Sequence, residues 1–109
     1  MTIDIDRYCY RVTWSEEDEE YVGTCLEFPS LSWLDESPGN ALSGIRSVVS
    51  DCIEDMTETN EDIPPPLSTK KFSGKFMVRV SPHLHRQLTI QAAETGMSLN
   101  RFITSKLSS

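Results

Sequence analysis

The sequence predicts an α+β chain in two small modules: an antiparallel sheet packed on one long helix, then a strand-helix-helix unit that pairs through its strand with its own copy. Three observations predict this. Short alternating segments before Asp35 read as strands, and one apolar stripe follows Ser37-Pro38. A proline run at 64–66 then separates these elements from K-F-M-V-R-V and two capped helices.

In residues 8–14, Tyr8, Tyr10, Val12 and Trp14 alternate with Cys9, Arg11 and Thr13, the pattern of a half-buried strand. The acids Glu16, Glu17, Asp18, Glu19 and Glu20 repel one another inside any regular element, so they predict a solvated hairpin loop. A second strand spans residues 21–28 and stops at Pro29, and a short third strand covers 31–34. Strands this close in sequence most easily form a meander. Ser37-Pro38 is a helix cap followed by proline in the first turn. From there Ala41, Leu42, Ile45, Val48, Val49, Cys52, Ile53 and Met56 recur every three or four residues. That stripe predicts a helix of about 20 residues covering one sheet face.

Residues 63–74 read as a mobile Pro/Ser/Lys connector between a domain at 1–62 and one at 75–109. Leu67 and Phe72 are candidates to dock on the first domain. In the last segment Lys75, Met77 and Arg79 alternate with Phe76, Val78 and Val80, giving one cationic and one apolar strand face. Ser81-Pro82 opens a helix, Gly96 stops it and Ser98 caps the next. Leu84 and Leu88 on one helix, with Leu99, Phe102, Ile103 and Leu107 on the other, join Phe76, Val78 and Val80 as the expected dimer core. A unit this small needs a partner, because domains under about 40 residues rarely stand alone. A two-stranded ribbon displaying Lys75, Met77 and Arg79 fits a DNA major groove. The helix start at Ser98, with Asn100 and Arg101, suits a phosphate.

Charge divides at the same place. Residues 1–62 hold sixteen Asp and Glu against Arg7, Arg11 and Arg46, a balance of −13. Residues 63–109 set Glu94 against seven Lys and Arg, a balance of +6, and the whole chain carries −7. The acidic half repels DNA and steers toward a basic protein, while the basic half does the reverse.

Cys9, Cys25 and Cys52 are an odd number without a C-x-x-C pair, which predicts reduced thiols. No signal peptide and no apolar run of about 20 residues is present, so the expectation is a cytoplasmic protein without membrane contact. Asp51, Glu54, Asp55 and Glu58 share the face opposite the apolar stripe, where a helix carries solvated charge rather than a metal. His83 and His85 lie two apart on a helix and cannot chelate one ion together. No phosphate loop or nucleophile–base spacing is present, so neither a catalytic residue nor a metal or cofactor is expected.

The strand K-F-M-V-R-V, the Ser81-Pro82 start, Leu84, Leu88 and Gly96-Met97-Ser98-Leu99-Asn100 resemble the ribbon-helix-helix (Arc/CopG-like) family of dimeric DNA-binding proteins. Residues Tyr8 to Trp14, the acidic turn, Tyr21-Val22, Cys25 to Leu31, the helix from Ser37 and the Ile63-Pro64-Pro65-Pro66 exit resemble the HicB antitoxin family. The chain departs from the family pattern at Leu34-Asp35-Glu36-Ser37-Pro38, where a Gly-x-Thr turn is common. The resemblance implies a degenerate RNase H-like first domain that binds and blocks a HicA-like basic toxin, a small mRNA-cleaving ribonuclease. It places Glu16 to Glu20, Glu27 and Phe28 near the toxin. The second domain then binds double-stranded operator DNA as a homodimer, or as a tetramer of such dimers, and represses its own operon. The alternative is a stand-alone transcriptional regulator whose first domain senses a ligand or another protein.

Overall fold

The computed structural model describes residues 3–109, which fall into two compact units that divide between Phe72 and Ser73. The first is α+β. After a short 3-10 helix at Ile5–Arg7 come β1 (Tyr10–Ser15), β2 (Glu20–Cys25), β3 (Ser32–Asp35) and the helix α1 (Pro38–Glu58). The strands form an antiparallel meander in the order β1-β2-β3, pairing Val12 with Gly23 and Gly23 with Trp33.

The expected strands appear with shifted ends. The first begins at Tyr10, not Tyr8, because Tyr8 turns into the core and the Cys9 amide binds the Glu27 carboxylate. The second ends at Cys25, where the Phe28 amide donates back to the Cys25 carbonyl and starts a turn through Pro29. The third covers Ser32–Asp35, one residue later than the alternation predicts.

Helix α1 begins as its sequence dictates. The Ser37 side chain accepts the Asn40 amide, and Pro38 occupies the first turn, where its missing N–H costs nothing. At the far end Asn60 takes a left-handed φ of 57° and the Glu61 amide reaches the Met56 carbonyl. Ala41, Ile45 and Val49 are fully buried, joining Tyr8, Cys25 and Phe28 in the core. Leu42, expected in the stripe, is instead 38% exposed.

Two glycines set the helix–sheet distance. A Cβ on Gly23 would stand 2.5 Å from the Ala41 carbonyl oxygen, and one on Gly44 would collide with the Trp33 ring. The helix axis therefore lies close against the middle of the sheet, with Trp33 seated beside it. Arg46, on the other flank, stacks over the Tyr10 ring at 5.8 Å and pairs with Asp6.

The second unit holds α2 (Pro82–Glu94) and α3 (Leu99–Ser108). Ser81 caps Leu84 and Ser98 caps Arg101 through their hydroxyls. Between the helices Gly96 has φ +71°, and the amides of Gly96 and Met97 return to the carbonyls of Ala93 and Ala92. Glycine adopts this left-handed stop with the least strain, since it has no Cβ. Ala92 and Phe102 are the buried residues of the pair. Residues 75–80, expected as a strand, precede α2 without a strand ladder.

Candidate protein and nucleic-acid interfaces

The cationic segment is fully on the surface. Every residue from 67 to 87 is exposed, with Phe76 at 78% and Met77 at 83%. Val78 and Val80 are also exposed, as are Leu84 and Leu107, while Leu88, Leu99 and Ile103 are half-buried and Phe102 is buried. The residues expected to form a shared core thus remain mostly open in the single copy. Lys75 and Arg79 make no ion pair among the described residues.

At the start of α3 the Ser98 hydroxyl takes the Arg101 amide at 3.2 Å. The amides of Leu99 and Asn100 precede the first intrahelical bond and point out of the helix end, beside the exposed Asn100 and Arg101 side chains. This end can hold an anion.

On the first unit, the acids expected to face a partner fall into two groups. Glu16, Glu17, Asp18 and Glu19 form the β1–β2 turn, exposed throughout, and Glu20 begins β2. Glu19 adopts φ 53° to close the turn, and Asp18 is held by the Ser15 hydroxyl at 2.9 Å. Trp14 donates its indole N–H to Glu16 at 2.6 Å and meets Tyr21 edge-on, ring centroids 5.1 Å apart. Sequence reasoning counted Trp14 and Tyr21 as strand residues. Their cross-strand pairing beside the turn emerges only from the register, Trp14 opposite Tyr21.

Glu27 and Phe28 lie elsewhere and do other work. Phe28 is buried against Tyr8, rings 5.2 Å apart and nearly perpendicular, so it belongs to the core rather than to a contact surface. The Glu27 carboxylate accepts the Cys9 amide at 3.0 Å and the Leu67 amide at 2.8 Å, with the Cys25 thiol at 3.5 Å. Partial burial pushes its acidity upward in pKa. The amides of Leu67 and Cys9, its own amide and the Cys25 thiol outweigh that and hold it below the ordinary carboxylate range. Burial pushes the Cys25 thiol up to about 11.

The same clasp reaches the first part of the connector. Tyr8 donates its hydroxyl to the Pro64 carbonyl at 2.7 Å, and Ser68 donates to the Arg7 carbonyl at 2.5 Å. Residues 63–68 are therefore tied to the first unit by polar contacts that sequence spacing does not reveal. Among the described residues no cluster of His, Cys, Asp or Glu is arranged to hold a metal, and Asp51, Glu54, Asp55 and Glu58 are exposed on α1. Among the described residues no helix is long and apolar enough to cross a membrane.

No curated protein and no solved structure matches the chain. The HicB family model matches residues 51–107, more than half of the chain. The matched segment runs from the last turns of α1 through the connector and both helices of the second unit. The chain belongs to the HicB family.

Proposed function

We propose that this chain is the antitoxin of a toxin–antitoxin pair, in which the acidic first unit neutralises a HicA-like mRNA-cleaving toxin and the basic second unit represses the operon. In this reading the first unit is a reduced RNase H-like fold without catalytic residues of its own. The second unit is a ribbon-helix-helix half that completes its sheet and core with a second copy.

The observation that carries the reading is the segment 75–80. It alternates Lys75, Met77 and Arg79 with Phe76, Val78 and Val80, has no strand partner among the described residues, and precedes two helices that bury little between them. Burying apolar surface contributes roughly 25 cal/mol per Å², so Phe76, Val78 and Val80 gain most by facing their counterparts in a second copy. Pairing two such segments puts Lys75, Met77 and Arg79 on one outward face of a ribbon. Arg79 then suits a guanine edge and Lys75 a guanine or a phosphate, with Met77 against a thymine methyl. Ser98, Asn100 and Arg101 bind the flanking backbone.

Co-expression with the adjacent reading frame tests the neutralisation half. The expected result is a stable complex recovered by pull-down and growth restored in cells expressing that neighbour. A neighbour that is toxic, yet neither captured nor neutralised, contradicts the reading and favours the stand-alone regulator.

A further inference from the structure

We infer that Trp14 and Tyr21 form the anchor point of the acidic unit's docking surface, built to take an arginine side chain from a basic protein partner. The identity of that partner rests on the antitoxin reading above, in which it is the toxin. The anchor itself rests on four observations.

First, Trp14 is 50% exposed although it sits on the sheet face that α1 covers. Ala41 and Ile45 of α1 meet that face at Gly23, one row along the same face from the Trp14–Tyr21 pair. Second, the indole is held from two sides, by its N–H to Glu16 and by the edge-on contact with Tyr21. A large exposed aromatic already fixed in place loses little freedom on binding, which is the usual character of an interface anchor. Third, the chain's own cations are placed over other rings. Among the described residues Arg46 lies over Tyr10, Lys70 over Phe72 and Lys106 over Phe102. Fourth, the rim is anionic. Glu16 to Glu20 surround the turn, Asp35 pairs across the strand from Tyr21 and Glu36 follows it; among the described residues none of these carboxylates forms an ion pair.

An indole face attracts a cation electrostatically, and a guanidinium also stacks flat on it while its edge N–H groups reach carboxylates. Arginine serves both parts at once in a flat stack, whereas the compact, strongly hydrated lysine ammonium offers no stacking plane. Trp33 provides an internal control. It is exposed to a similar degree, at 42%, but its ring rests against Gly44 on α1.

The full-length chain is titrated with nona-arginine and nona-lysine peptides at about 150 mM salt, where long-range attraction is largely screened. The indole N–H resonances of the two tryptophans are followed by NMR. The Trp14 signal is expected to shift while that of Trp33 stays within error, with nona-arginine binding more tightly than nona-lysine. Trp14→Ala should weaken nona-arginine binding about tenfold, and Trp33→Phe should leave it within about twofold. Equal shifts of both indoles, or unchanged binding by Trp14→Ala in a folded chain, overturn the anchor as diffuse attraction to an acidic protein. That failure is distinct from failure of the antitoxin reading, which shows as loss of growth rescue by the wild-type chain. Trp14→Ala losing both peptide binding and rescue supports the anchor and its assignment to the toxin together. Lost peptide binding with intact rescue overturns the assignment to the toxin.

Discussion

Glu27 and Gly23 hold the acidic unit together by different means, and each makes a separate prediction. Glu27 gathers the Cys9 and Leu67 amides on one carboxylate, joining the start of β1 to the exit segment. Its pKa is depressed below 4.5 in the folded chain, so the bonding contributes stability that is full above that value. The contribution is lost as pH falls through the lower folded value. Glu27→Gln should therefore be less stable than wild type at pH 7, and the gap should narrow as pH drops below about 4.5. Urea midpoints at pH 7 and in acid check this. Gly23 acts through absence of a side chain, since an added Cβ meets the Ala41 carbonyl at 2.5 Å. Gly23→Ala should cost about 1–3 kcal/mol by overpacking. Gly39→Ala, whose Cβ meets only the Ser37 hydroxyl at 3.7 Å, should be neutral or mildly stabilising in the same urea series.

At the scale of elements, what was legible was what short-range pattern controls. The stripe from Ala41 to Met56, the Ser37-Pro38, Ser81-Pro82 and Ser98 starts and the Gly96 stop each follow from neighbours three or four residues away. What was not legible depends on pairs distant in sequence. Gly23 under Ala41, Trp33 beside Gly44, and Glu27 with Leu67 are invisible to periodicity. The family resemblance places Phe28 near the toxin, yet the turn after Cys25 directs it onto Tyr8. The connector illustrates the same limit: its first part is tied by Tyr8, Glu27 and Ser68, and its second part has no such ties among the described residues. Trypsin should therefore cut first after Lys70 or Lys71, with Lys75 and Arg79 protected once the ribbon pairs. Mass spectrometry of the earliest fragments reads the order, and first cuts within α1 would contradict it. Pairing itself predicts that wild type sediments at twice the chain mass, whereas Val78→Asp, which places a charge against the partner copy, sediments as a monomer.

At the scale of the molecule, charge and contacts divide the chain in nearly the same place. The compact units meet between Phe72 and Ser73, so Lys70 and Lys71 belong with the acidic unit. Sixteen acids against five cations leave that unit at −11, and five cations against Glu94 leave the other at +4. The proposed DNA binding conflicts with an acidic net charge only when that charge is averaged over the whole chain. Separated, the two fields suit two partners at once: a basic protein for the sheet unit and a phosphate backbone for the helix pair. The proposed pairing through residues 75–80 would also give each dimer two copies of the acidic surface.

The most direct test of this division of labour is Arg79→Ala, assayed for binding to the operon's own promoter and for neutralisation of the neighbouring toxin at matched salt. The account predicts promoter affinity weakened by about 1–3 kcal/mol with growth rescue unchanged. Promoter binding equal to wild type, or rescue lost together with DNA binding in a folded dimer, would contradict it.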